Sequence, residues 1–198
     1  MADFSKVEKA LKERGYTVKV FATGAEAAAY LDGEIDGATV GIGGCATAQE
    51  IGLYELLEKH NTVIWHWKQE GADVRKKAMT TDFYITSANA LAESGEIVNI
   101  DGVGNRLAGT LFGHRKVYFI IGRNKLTADY ESAVHRARNV ASPRRAQQLG
   151  AKTPCAEKAD HCYDCRAAGR ICRGMTTLWG PMMGSEAEVI LIDEEHGL

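Results

Sequence analysis

Four cysteines near the C-terminus have the spacing to do chemistry together. Cys155, Cys162, Cys165 and Cys172 form a C-x6-C-x2-C-x6-C array. Four thiolates in one short stretch can converge on a metal, and sulfur-only ligation suits an iron–sulfur centre or zinc. Arg166-Ala167-Ala168-Gly169-Arg170, between the last two, has no apolar period. A metal would supply the order that side-chain packing does not. His161, Arg166, Arg170 and Arg173 would offset the charge of a four-thiolate centre. The spacing matches neither the zinc-ribbon pattern nor the ferredoxin run. The residues alone leave iron–sulfur, zinc and unligated reduced thiols open.

A second set of residues lies on three loops. Gly41-Ile42-Gly43-Gly44-Cys45-Ala46-Thr47 follows an apolar stretch and opens a helix. Backbone N–H groups at such a turn can cradle an anion, which makes Gly43, Gly44 and Thr47 candidate ligand contacts. The loop lacks the dinucleotide fingerprint and the P-loop lysine, and its glycines could equally serve a tight turn. Cys45 is either a reactive thiol or a small buried side chain. Ser87 and Asn89 form one polar loop, and Asn99 and Asn105 flank another that holds Asp101 and Arg106. Arg106 could grip a carboxylate or phosphate, with Asp101 and Cys45 as further candidates for chemistry, or Asp101 and Arg106 could form an internal ion pair. Trp65-His66-Trp67 reads as strand, with both tryptophans on one buried face and His66 on the other. Arg136, Arg138, Arg144 and Arg145 lie on or beside a long helix, as a solvated face or as a contact for an anion.

These loops need elements to position them. Phe4, Val7, Ala10 and Leu11 share a helical face that Gly15 ends. Tyr16–Phe21 reads as a strand, and Thr23 with Glu26 forms a capping box for a helix to about Leu31. Strands are expected at Thr39–Ile42, Thr62–Trp67, Asp82–Thr86, Glu96–Ile100, Val117–Gly122 and Val189–Asp193. Helices are expected from Thr47, over Glu70–Met79, over Arg106–Phe112 and over Ala128–Leu149, the last kinked at Pro143. Ala88–Gly95 reads as a turn. Alternation of this kind predicts an α/β fold with a mostly parallel sheet and helices on both faces. Ligands then sit beyond the carboxyl ends of the strands. One domain over residues 1–198 is expected, with a cysteine-rich element over 153–178 inside it.

Composition narrows the classes. The chain has 198 residues and a formal net charge of -2, without the basic surplus of a general nucleic-acid binder. Its longest apolar runs are strand-sized, far below the roughly 20 residues of a membrane-crossing helix. The first residues are charged and amphipathic and show no secretory apolar region. A cytoplasmic location is expected, where thiols stay reduced. Self-association is compatible with the sequence.

At this level of detail the chain resembles a known family. Thr86-Ser-Ala-Asn-Ala-Leu-Ala-Glu-Ser-Gly-Glu-Ile-Val-Asn-Ile-Asp-Gly-Val-Gly-Asn-Arg106 is similar to the core motif of LUD-domain, lactate-utilisation proteins. Gly43-Gly44-Cys45-Ala46-Thr47, Glu50-Ile51-Gly52-Leu53 and Gly122-Arg123-Asn124-Lys125 add to the match. The segment from Thr153-Pro154-Cys155-Ala156 to Arg170-Ile171-Cys172-Arg173 resembles the cysteine-bearing branch. Cys45 departs from the serine more usual there. The region is more distantly similar to methylthioribose-phosphate-type isomerases, but Asn89 stands where their catalytic aspartate would be and Ile100 where their lysine would be. An amide cannot act as a carboxylate base, so the likeness implies the CoA-transferase and ribose-phosphate isomerase fold without the isomerase chemistry. The family resemblance implies a part in 2-hydroxy-acid oxidation beside iron–sulfur partner proteins. It moves the expected centre on the four cysteines toward iron–sulfur, a 4Fe-4S cluster, with zinc as the alternative. The leading expectation is an electron-transfer or oxidoreductase-associated protein that binds a small anionic ligand. The rivals are a stand-alone enzyme acting on an organic acid, phosphosugar or acyl-CoA, and a non-catalytic assembly subunit with structural zinc.

Overall fold

The apolar stretch Val117–Ile121, within the strand Lys116–Gly122, lies inside a parallel sheet, as an apolar stretch buried on both faces must. The computed structural model describes residues 3–198; the expected domain also takes in Met1 and Ala2, which lie outside the described residues. The strands are β1 (Thr17–Phe21), β2 (Thr39–Ile42), β3 (Thr62–Trp65), β4 (Phe83–Thr86), β5 (Ala90–Ala92), β6 (Ile97–Asp101), β7 (Lys116–Gly122), β8 (Leu126–Thr127), β9 (Gly174–Leu178) and β10 (Glu186–Ile192). Six of them form a sheet in the order β1-β10-β7-β4-β2-β3, every pair parallel. Register is set by side-chain alternation: Ile190 pairs with Ile120 and Val189 with Phe119. Tyr118, Ile120, Ile190 and Ile192 face one apolar layer with Leu31, Ile42 and Trp65. Phe119, Ile121, Val189 and Leu191 face the other, with Phe4, Leu11 and Tyr16.

The helices are α1 (Ser5–Glu13), α2 (Gly24–Glu34), α3 (Ala46–Glu50), α4 (Leu53–Leu57), α5 (Val74–Lys77), α6 (Asn105–Leu111), α7 (Tyr130–Arg136), α8 (Ser142–Gln148) and α9 (Pro154–Lys158); α7 packs through Ala133 against Ala90, Ala92 and Val98 rather than on the six strands. The expected capping box is present: Thr23 Oγ1 accepts from the Glu26 N–H at 3.2 Å, and the Glu26 carboxylate accepts from the Thr23 N–H at 3.2 Å. The helix foreseen over Glu70–Met79 shrinks to α5 and a 3-10 turn at Ala78–Thr80. Gly71, with φ +128°, breaks its start.

The long helix runs unbroken from Tyr130 to Gln148, and Pro143 does not end it. A π-helical segment, Ala137–Ala141, joins α7 to α8. The wider turn accommodates the ring and missing N–H of Pro143. Ser142 Oγ donates to the Ala137 carbonyl at 2.8 Å across it.

A second, four-stranded sheet in the order β8-β5-β6-β9 was not foreseen. The expected turn at Ala88–Gly95 contains β5. The expected cysteine element over 153–178 ends in β9, which pairs antiparallel with β6. Ala-Leu-Ala and Gly-Met-Thr-Thr-Leu are too short or too polar to announce themselves as strands. The pairing of Asp101 with Gly174 draws the end of the cysteine segment onto the loop after β6.

Candidate functional site

The loops after β2, β4, β6 and β7 open on one side of the molecule, at the carboxyl ends of their strands. They enclose a pocket of about 270 Å³, a size for a small organic ligand. Gly44, Cys45, Ser87, Asn89, Asp101, Asn105 and Arg106 all line it. The fold brings these seven sequence-predicted residues to one pocket. Gly43, Thr47 and Asn99 stand behind the wall. Gly43 accepts the Trp65 indole N–H at 2.8 Å and its own N–H donates to Ile85, so it holds the loop rather than a ligand. A Cβ there would meet Tyr84 Oη at 2.8 Å.

Arg106 is the best-held group in the pocket. Its guanidinium donates to Asn99 Oδ1, to Asn89 Oδ1 at 3.1 Å and to the Ile100 carbonyl. The two asparagines are themselves fixed. Asn99 Oδ1 accepts from the Asn89 N–H at 3.0 Å, and its amide donates to Ser87 O at 3.2 Å. Asn89 Oδ1 accepts from the Ile100 N–H at 2.7 Å. All three acceptors of Arg106 are neutral. Burial depresses its pKa, with the nearby Asp101 charge acting against that. A buried cation with only neutral partners keeps its charge for an incoming anion.

Asp101 does not pair with the Arg106 side chain. Its oxygens accept from the backbone N–H groups of Gly102 at 2.8 Å, Gly104 at 3.1 Å and Arg106 at 3.0 Å. The carboxylate thereby caps the start of α6 and sets the loop. Cys45 is buried and caps α3 with its sulfur, accepting from the Ala48 N–H at 3.4 Å. Burial pushes its thiol pKa up, with Lys125 opposing, so the group stays a neutral thiol.

Other groups come from outside the loops first singled out. Lys125, just past β7, reaches the pocket and donates to Ser87 Oγ at 2.8 Å and to Thr47 Oγ1 at 3.0 Å. Burial lowers its pKa to about 8, with Arg136 and Arg106 adding to the effect and Cys45 opposing it. Lys125 follows the carboxyl end of the central strand, where ligands of parallel sheets sit, but nothing in its own sequence neighbourhood marks it as buried. Arg145 lies over the Trp67 ring at 5.0 Å and faces the same space. Trp67 leaves the strand, which ends at Trp65, and stacks on Trp65 at 5.4 Å. The two tryptophans are thus not neighbours on one strand face. His66 also lines the pocket, and burial followed by Arg75 lowers its pKa. The arginines of the long helix are not simply a solvated face. Arg136 donates to Asn124 O at 3.0 Å and to Asn89 O, Arg145 enters the pocket, and Arg138 turns the other way.

That other way is the cysteine segment. Cys155, Cys162, Cys165 and Cys172 line one small cleft of about 10 Å³ with Arg138 and Arg170. All four are free thiols. Among the described residues no three His, Cys, Asp or Glu side chains are set as ligands to one ion. Arg170 donates to the carbonyls of Cys165 at 2.7 Å and Cys172 at 3.2 Å, and to the Cys172 sulfur at 3.4 Å. Asn139, in the π segment, accepts the Cys162 N–H at 3.1 Å. The cleft and the larger pocket share two lining residues, Ser142 and Ile171.

Among the described residues no helix is long and apolar enough to cross a membrane. No curated protein matches the chain. Among solved structures, a DUF162-family protein from Deinococcus radiodurans is similar, with 13% identity, 94% of each chain covered and a TM-score of 0.55. At that identity the likeness speaks for the fold. The LUD domain matches residues 4–192. That span takes in both sheets, the pocket and the cysteine cleft, and the chain belongs to the LUD-domain family, as a protein of the lactate-utilisation type.

Proposed function

We propose that this chain is an iron–sulfur electron-transfer or oxidoreductase-associated component of 2-hydroxy-acid metabolism that holds a small anionic ligand in the pocket of Arg106. The observation that carries the ligand reading is electrostatic. Arg106, Lys125, Arg145 and Arg75 line the pocket against one acidic side chain, Asp101, whose oxygens are taken up by backbone N–H groups. The reading gives Arg106 the ligand's carboxylate or phosphate, with Ser87, Asn89, Asn105 and Gly44 shaping its seat.

The donor set of the cleft fits a sulfur-seeking metal. Four thiols line it with no acidic side chain among the lining residues, and Arg138 and Arg170 lie beside them. Cys155, Cys162, Cys165 and Cys172 would hold a 4Fe-4S cluster, and Arg138 and Arg170 would offset its negative charge. When bound, such a cluster supplies one-electron transfer. The long helix supports the coupling of the two sites, because its Ser142 and Pro143 face the cleft while its Ala141 and Arg145 face the pocket.

The anion reading is tested by isothermal titration of propionate and of inorganic phosphate into the wild type and Asn89→Asp. Aspartate would pair Arg106 and cancel its charge. Affinity for the better anion is expected to fall at least about tenfold, or about 1.4 kcal/mol. Equal affinity in the two proteins, or no binding to the wild type, would contradict the reading.

A further inference from the structure

From the environment of Lys125 we infer that its amine forms an imine with the carbonyl carbon of a 2-oxo acid bound in this pocket. The inference rests on the anion reading above and adds a covalent step to it.

The hydrogen bonds around Lys125 fix the orientation of its amine. Ser87 Oγ commits its own proton to the Ile120 carbonyl at 2.6 Å, so it can only accept from Lys125. Thr47 Oγ1 has other acceptors for its proton, Ser87 Oγ and His196 O, both at 3.5 Å, and accepts from Lys125 as well. A neutral amine has two N–H bonds and one lone pair. With both N–H bonds given to these hydroxyls, the lone pair is left for the cavity that Lys125 lines. The alternative, a buried ammonium, would want a carboxylate, and among the described residues Lys125 makes no ion pair.

The surroundings raise the share of the neutral amine from several sides. Lys125 is 3% exposed, and the pocket is rich in cations. Arg136 and Arg106 lower its pKa in addition to burial, while Cys45 and Glu50 raise it. Desolvation beside other cations is a recognised way to activate a lysine toward carbonyl carbon. The segment after β10 closes the far side: a Cβ on Gly197 would stand 3.0 Å from the Lys125 nitrogen.

The ligand chemistry follows. Arg106 and Arg145 take the carboxylate, and the carbonyl next to it meets Lys125. The lone pair adds to the carbonyl carbon and the C–O bond breaks. The oxygen leaves as water with the two amine hydrogens, and a C=N bond replaces C=O. No oxidant or reductant is consumed. A 2-hydroxy acid has no such carbon and would be held without the covalent bond.

The test is trapping with cyanoborohydride. The full chain is incubated with pyruvate and the reductant, then analysed by intact mass and peptide mapping. The expected result is one reduced adduct per chain, on Lys125, absent from folded Lys125→Arg and suppressed by excess propionate. No adduct, or adducts on surface lysines such as Lys6 and Lys76 with Lys125 unlabelled, would overturn the inference. Titration of propionate separates the two readings. Propionate binding without pyruvate trapping sinks the imine and leaves the anion pocket standing; absence of both sinks the anion pocket as well.

Discussion

Lys125 and Arg106 are two buried basic groups held by different means. Arg106 is held by three neutral oxygens, Lys125 by two hydroxyls. Each costs folding energy that a hydrophobic side chain would not. For Lys125 the cost depends on pH. Its folded-state pKa is lowered to about 8 from the ordinary 10.5. Between those values the unfolded chain still holds a proton that the folded chain has shed, so this group makes stability rise with pH across that window. Lys125→Met removes the titration. Relative to the wild type, the variant should be at its most favourable below pH 8 and lose ground steadily toward pH 10.5, read as denaturation midpoints at several pH values. A gap that is constant across the window would show that Lys125 keeps its proton in both states. Arg106, Asp101, Ser87 and Asn89 were legible as pocket-lining candidates because they sit on polar loops at strand ends. Lys125 was not singled out, because a lysine after an apolar strand looks like an ordinary surface residue. Only burial by the segments around Thr47 and Gly197, distant in sequence, makes it unusual.

At the level of elements, periodicity and capping carried most of the prediction. The parallel sheet, the capping box at Thr23 and the strands β2, β4 and β7 follow from local pattern. The second sheet does not, because β5 and β9 are held by partners far along the chain rather than by their own alternation. The helix around Pro143 was legible in extent but not in its π turn, since the turn depends on how the ring is accommodated. The loop after β6 gives an element-scale prediction. A Cβ on Gly102 would stand 2.6 Å from the Ile171 carbonyl, and the Arg173 N–H donates to Asp101 O at 2.9 Å beside it. The contact is backbone, so it cannot yield by a side-chain rotation. Gly102→Ala should push the Ile171–Arg173 segment away from the pocket. Propionate affinity and thiol reactivity toward a maleimide should both change, with the far-ultraviolet circular dichroism unaltered. A change in only one of the two would mean that Ile171 does not couple them.

On the scale of the whole molecule, two sites of different chemistry lie on either side of one helix. The pocket collects cations from loops of both sheets, and the cysteine segment bridges the end of that helix to β9. Sequence alone could place the cysteines between the long helix and the last strand but not against the pocket, because that closeness is made by β6–β9 pairing. The shared wall of Ser142 and Ile171 sets the cysteine cleft beside the pocket, as the proposed electron transfer would require. The most direct measurement is the visible spectrum and metal content of the chain purified without oxygen, before and after adding the pocket anion. The account predicts iron and sulfide, broad absorption that bleaches on reduction, and a spectral change when propionate or phosphate is added. Colourless protein carrying stoichiometric zinc, or a spectrum indifferent to saturating anion, would contradict it.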